Sequence, residues 1–292
     1  MFDWERILVN GLVQGGIYAL LAIGFSLIFG VARMINLAHT SFYMLAAYGV
    51  YYFGQRLGLP LIVSIVLSLL ITTLIGICTY KLFIERVREH QVTVLLITLA
   101  LALVFQECVV LGFGGHYLGT PSFVSGYREI VGVKVLHQHL VILGTVLAAL
   151  LGMWALLSKT RLGIAIRASA QDTEVANLMG IDVPRILLIT MGIATALAAV
   201  SGIVVAPTLA IEPRMWTHPL VMIMAIVVLG GLGSVKGSFI AAFVIAFVET
   251  IVVYQFPEGA YLKGSIALLV MVIILLVRPE GLFGISLEEE RL

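Results

Sequence analysis

Ionisable side chains are scarce in the long apolar runs of this 292-residue sequence, so the few that occur there are where chemistry would reside. Glu249 closes Ala246-Phe247-Val248-Glu249, Glu107 stands late in a run from 91 to 112, and His39 stands early in a run from 36 to 54. A charged side chain at the centre of a membrane helix costs about 2.5–3.5 kcal/mol on insertion scales. Such a residue faces a cavity or a partner, or snorkels to the nearby interface. Two separated acids and an imidazole can relay protons or line a polar path. The motifs of enzymes are missing. There is no His-Glu-x-x-His metal pair, and Gly24-Phe25-Ser26-Leu27-Ile28 lacks the second glycine of a nucleophile elbow. Gly231 to Gly237 is glycine-rich, but Lys236 follows Val235 rather than a glycine, so it is not a phosphate loop. No ATPase site, enzymatic activity or cofactor is expected.

Composition dictates the elements that hold these residues. Hydrophobic residues make up 61% of the chain and charged residues 11%, with mean hydropathy +1.12. A soluble domain carries about 25% charged residues, so a water-soluble globule is excluded, as are a disordered chain and a disulfide scaffold. Net charge is +1, which gives no field to recruit nucleic acid. The expected fold is all-α, a polytopic transmembrane bundle forming a single domain over residues 1–292. A spanning helix needs about 20 apolar residues. Nine stretches approach this: 9–30, 36–54, 60–80, 91–112, 139–157, 186–207, 217–231, 238–255 and 261–278. The second and seventh are short, so eight or nine membrane segments are expected. With nine, eleven of the 17 Lys and Arg residues fall on the side of the C-terminus. That bias predicts an external N-terminus and a cytoplasmic C-terminus. Met1 to Val9 lacks the basic region and cleavage site of a secretory signal, so the first run is read as a retained helix.

Two connections are longer than turns. The outer one, about 114–138, holds an alternating stretch from Ile130 to Leu136 that reads as a hairpin or a short helix. The inner one, about 158–184, predicts two short helices near 161–170 and 173–179. Ile164, Ala168, Val175 and Leu178 recur on one helical face, with Arg161, Arg167, Glu174 and Asn177 on others. Asp172 is a good N-cap, Glu174 suits the first turn, and Gly180 is a C′ residue with Pro184 soon after. On residue types alone, this segment lies on the membrane, packs on its own protein or docks a cytoplasmic partner; its mixed charge argues against the lipid surface. Small residues at four-residue spacing form packing seams: Gly11, Gly15 and Ala19; Ala194, Ala198, Gly202 and Ala206; Ser238, Ala242, Ala246 and Thr250. Cys78 and Cys108 are expected to be small core residues roughly 25 Å apart, beyond disulfide reach.

Five motifs, in order over nearly the whole chain, resemble the permease subunits of ATP-driven importers of the branched-chain amino acid and amide/urea type. They are Gly30-Val31 with Met34-Ile35-Asn36-Leu37-Ala38-His39 and Phe42-Tyr43-Met44-Leu45; Leu162-Gly163 through Gly180-Ile181 and Arg185; Leu229-Gly230-Gly231-Leu232-Gly233-Ser234; Glu249; and Arg278-Pro279-Glu280-Gly281-Leu282-Phe283-Gly284. The chain is similar to the shorter of the two permease types. The resemblance implies an inner-membrane complex with a second permease subunit, two cytoplasmic ATPase subunits and an external solute-binding protein. The cargo is then a branched-chain amino acid or a related small solute, and membrane lipid surrounds the bundle. It also implies that the inner connection, with Arg161, Arg167, Asp172, Glu174 and Gly180, contacts the ATPase. Candidate path residues are Asn36, His39, Ser41 and Glu249. Many relatives carry Gly and Glu after the histidine; here Thr40 and Ser41 stand there, so a carboxylate role is not carried over. The alternative reading is an ion-coupled secondary transporter of amino acids.

Overall fold

The computed structural model describes residues 4–130, 133–279 and 281–283. Eleven α-helices and one two-stranded hairpin are found among them. Seven helices are long and apolar enough to cross a membrane. They are α1 (Trp4–Ala32), α3 (Leu61–Thr79, continuing helically to Val87), α4 (Gln91–Phe113), α5 (His137–Lys159), α8 (Val183–Val205), α10 (Val235–Gln255) and α11 (Gly259–Val277). The two stretches that were short in sequence are short in space: α2 is His39–Tyr51 and α9 is Thr217–Gly230. Between α5 and α8 lie α6 (Arg161–Gln171) and α7 (Thr173–Leu178), at nearly the predicted boundaries.

α1 is the axis of the bundle. It packs against α10, α8, α5 and α9 and is buried along most of its length. Its small residues explain the close approach. Gly11 and Gly15 seat the rings of Phe247 and Phe243, and a Cβ at either glycine would stand 2.5 Å from a ring carbon. On α8, a side chain at Gly202 would collide with the carbonyl oxygen of Tyr43 on α2. The predicted seams are therefore of two kinds, one cupping aromatic rings and one bringing backbones together.

The chain between α1 and α2 does not leave the bundle. Asn36 and His39 are buried, and the Leu37 amide donates to Thr98 Oγ1 at 3.2 Å. Thr98 lies two turns into α4, about 10 Å from its start, so α2 begins inside the bundle rather than at its rim. That is why it is short. At the far end, β1 (Tyr127–Ile130) and β2 (Val133–Leu136) form the antiparallel hairpin, with Tyr127 opposite Leu136. Leu118 and Ile211 exchange backbone hydrogen bonds of 2.9 and 2.8 Å, tying this connection to the one between α8 and α9.

The two ends of the bundle differ. One holds the start of α1, the hairpin and the α10–α11 turn; the other holds α6, α7 and the last described residues. Cys78 and Cys108 are free and exposed, which corrects the expectation that they are core residues. They stand on outward faces of α3 and α4, where Leu70, Leu74, Leu103 and Leu111 are exposed too.

Candidate functional site

Glu249 is the most deeply buried acid among the described residues. Its side chain is 3% exposed, and its Oε2 accepts a hydrogen bond of 2.8 Å from the Tyr18 hydroxyl, which α1 brings across from 231 residues away. Oε1 lies 3.5 Å from His218 Nε2 and receives no hydrogen bond from a described residue. The pair opens onto a cavity of about 700 Å³ between α1, α9, α10, α11 and the connection before α9. Its walls combine both signs of charge, through Glu249, Glu212, Arg214 and Lys263, with aliphatic surface from Val13, Ile17 and Leu209. Such a space can hold a small solute with opposite charges and an apolar body.

The other three candidate path residues sit elsewhere. Asn36, His39 and Ser41 are buried where α1, α2 and α8 meet, and none lines this cavity. Asn36 Oδ1 accepts from the Ala38 amide at 3.1 Å and shapes the start of α2. His39 Nε2 lies 3.0 Å from the Leu21 carbonyl. A carbonyl only accepts, so the proton is on Nε2 and the bond is a donation. Phe25 packs edge-on against the ring. These residues close a polar joint beneath the cavity, and Leu21 and Tyr43 connect the two, since both line it. Tyr18, His218 and Lys263 escaped sequence reasoning. Tyr18 carried a signal: with Gln14 it is the polar member of the glycine-bearing face of α1.

A second constellation is built at the opposite end. Thr160 Oγ1 accepts from the Gly163 amide at 3.0 Å and caps α6. Asp172 Oδ1 accepts from the amides of Glu174 and Val175 at 2.8 and 2.9 Å and caps α7, as its residue type predicts. Gly180 has φ +85, the left-handed backbone that a C′ glycine supplies, and Asp182 Oδ1 accepts from the Arg185 amide at 3.2 Å to start α8. Gly163 presses on the backbone of Leu156 and Leu157, and Arg167 donates to the Leu157 carbonyl. The buried side of the ridge is Gly163, Ile166, Ser169 and Ala176. The free side presents Ile164 and Val175, and at its tip Leu178 and Met179 are 86% and 79% exposed. Arg161, Asp172 and Glu174 are exposed around them.

Three of the separated motifs converge at this end. The Leu282 and Phe283 amides donate to the carbonyls of Leu229 and Gly230 at 2.7 and 3.1 Å, and Gly233 touches Gly30. The segment after α11 is thus clasped to the glycine-rich turn between α9 and α10, which in turn rests on α1. Glu280 and Gly284 of the last motif lie outside the described residues.

The model of the family described as "Branched-chain amino acid transport system / permease component" matches residues 7–275. The chain belongs to this family. It is therefore a multi-pass membrane permease of the ATP-driven importer class that works within a transporter complex, and it is not an enzyme. The permease is 28% identical to the high-affinity branched-chain amino acid transport system permease protein BraD of Pseudomonas aeruginosa, covering 97% of each chain. It is also 28% identical to the corresponding protein LivH of Escherichia coli K12, covering 94% of each. A more distant likeness, 29% identical over 88% of this chain and 75% of the other, is to the autoinducer 2 import system permease protein LsrC of an Enterobacter species. Among solved structures, PsaBC from Streptococcus pneumoniae in complex with Fab matches with TM-score 0.51 and 14% identity, over 93% of this chain and 90% of that one. That likeness concerns the fold alone.

Proposed function

We propose that this chain is one of two permease subunits of an importer in the bacterial inner membrane, carrying branched-chain amino acids or related small polar solutes inward. Two cytoplasmic ATPase subunits grip the α6–α7 ridge, and an external solute-binding protein releases its ligand at the opposite end. The observation that carries this reading is the ridge itself. Both of its helices start on a side-chain N-cap, Thr160 and Asp172, yet it holds Leu178 and Met179 out in the open. A mobile loop would not need such caps, and a ridge serving only to pack would not leave its largest apolar residues free. Charge supports the orientation, since Arg33, Lys159, Arg161, Arg167, Lys236 and Arg278 gather at the ridge end. Names carried by BraD and LivH support the cargo class, as does the cavity chemistry. Glu249 suits an ammonium group, Lys263 a carboxylate, and Val13, Ile17 and Leu209 an aliphatic side chain. Hydrolysis in the ATPases rocks the ridge, and the glycine seams let neighbouring helices shift, so the path opens to one side at a time.

The test is a single cysteine at Glu174 in a variant lacking Cys78 and Cys108. In the purified transporter, a short bifunctional crosslinker should yield an adduct of this chain with an ATPase subunit, reduced when nucleotide is added. An assembled, ATP-hydrolysing complex that gives no such adduct would refute the docking. Uptake by this chain alone, driven by an ion gradient without ATP, would refute the importer reading altogether.

A further inference from the structure

Four of the membrane-length helices, α3, α4, α5 and α11, turn most of their surface outward. An outward surface inside a bilayer meets acyl chains or another protein, and the ionisable residues distinguish the two. On α5 they sit at the ends, His137 and His139 at the start and Lys159 at the finish. On α11, Lys263 is the fifth residue and belongs to the wall of the Glu249 cavity rather than to the outward face. On α3 and its continuation, Lys81 pairs with Glu85 at 2.8 Å near the last turn. α4 is different. Glu107 is exposed, stands six residues before the end of the helix at Phe113, and has a short side chain. Six residues put it about 9 Å below that end, where Arg56 donates to the Gly112 carbonyl and marks the rim.

Glu107 is also the outer member of a polar chain. The indole Nε1 of Trp216 donates to Gln106 Oε1 at 3.0 Å, and Gln106 Nε2 donates to Glu107 Oε1 at 3.3 Å. Trp216 lies between Met215 and Thr217, both of which line the Glu249 cavity. The chain of hydrogen bonds therefore runs from beside the cavity through the wall of α4 and emerges among Leu103, Val104 and Leu111. Acyl chains offer nothing to a carboxylate, whereas a protein surface can offer donors.

We infer that the outer half of α4, centred on Glu107, is the face against which the second permease subunit seats, with hydrogen-bond donors of that subunit meeting the carboxylate. This rests on the two-permease reading given above. The surface differs from the α6–α7 ridge in position and chemistry: it is apolar, spans membrane depth and carries one acid.

Cys108, next to Glu107 and exposed, is a native probe. In a Cys78→Ala variant, the complete transporter is purified into nanodiscs and a nitroxide is attached to Cys108. The reference is a label at Leu70→Cys, on the outward face of α3, in a background lacking both native cysteines. Collision with oxygen and with a water-soluble nickel chelate is read for each. The Cys108 label should collide with oxygen at least threefold less than the Leu70 reference. Equal oxygen collision with negligible nickel collision would overturn the assignment, because it places α4 in lipid. The second readout is Glu107→Leu. It should cut copurification of the second permease about tenfold or more while leaving the melting temperature of the isolated chain equal or higher. Normal copurification would overturn the proposal, since a lipid-facing acid is improved by that change. If no second permease accompanies the wild-type chain, the pairing itself fails, and this result is separate from the collision measurement.

Discussion

Changing Tyr18 to Phe deletes one oxygen and nothing else, and its consequence can be worked from two distances. The lost bond is 2.8 Å long and ends on Glu249 Oε2, while Oε1 of the same carboxylate already lacks a hydrogen bond from any described residue. The variant leaves both oxygens without a hydrogen bond from any described residue, with His218 Nε2 3.5 Å from Oε1. Hydrogen bonds between helices in membranes average about 0.6 kcal/mol and reach about 1.7 kcal/mol. An ionised acceptor roughly doubles the usual value. The expected coupling between Tyr18 and Glu249 is thus about 1–1.7 kcal/mol, close to a tenfold change in an equilibrium constant. A double-mutant cycle reads it: Tyr18→Phe, Glu249→Leu, which leaves no acceptor for the hydroxyl, and both together, each followed by reversible unfolding of the purified chain in mixed micelles. The double variant should be less destabilised than the sum of the singles by that amount. Uptake in reconstituted transporter should fall in both singles while the complex still assembles. A coupling below about 0.3 kcal/mol, well under that membrane average, would refute the reasoning, because it would make the pair a coincidence of packing.

Other outcomes follow from features already described. Asp172→Ala removes the acceptor of two amides and should cost the α7 terminus about 0.5–2 kcal/mol; ATP hydrolysis should persist while uptake per ATP falls, and unchanged coupling would show that the cap is dispensable. Gly180→Ala forces a side chain into left-handed backbone at about 1–2 kcal/mol, with the same loss of coupling expected and a normal melting temperature for the membrane helices. Leu178→Asp should leave the isolated chain as stable as before, because the residue is 86% exposed, yet lower ATPase copurification severalfold. Gly202→Leu should abolish folded yield, since the collision is with Tyr43 backbone and no rotamer relieves it; a normal yield would mean that α2 and α8 separate freely.

Much of the architecture was legible in the residues because membrane helices announce themselves by length and apolarity. Chemistry at helix ends was equally readable: Asp172 and Gly180 do what their types dictate, within one residue of the expected boundaries. Which face of a helix points inward was harder to read. Lipid is as apolar as the interior, so a hydrophobic stripe loses its meaning, and Cys78 and Cys108 were misassigned for that reason. A readable signal did exist. The buried positions of α3 include Ser64, Ser68, Thr72 and Gly76, spaced by four, while Leu70, Ile71 and Leu74 are exposed. Small and polar residues mark the inside, reversing the rule for soluble proteins. The interior start of α2 was hidden because Asn36 and His39 read equally well as path residues or as joint residues. The Tyr18–Glu249 bond, across 231 positions, has no local signature at all.

The clasp between Leu282–Phe283 and Leu229–Gly230 has a mechanical corollary. Two backbone bonds tie the segment after α11 to the elbow joining α9 and α10, so displacing one of these helices alone at that end would break them. A stroke that leaves those bonds intact carries the three helices together, and their far ends hold Glu249, His218 and Lys263. A push applied at one surface of the bilayer would thus be felt at the other as a change in how tightly those three side chains enclose their cavity.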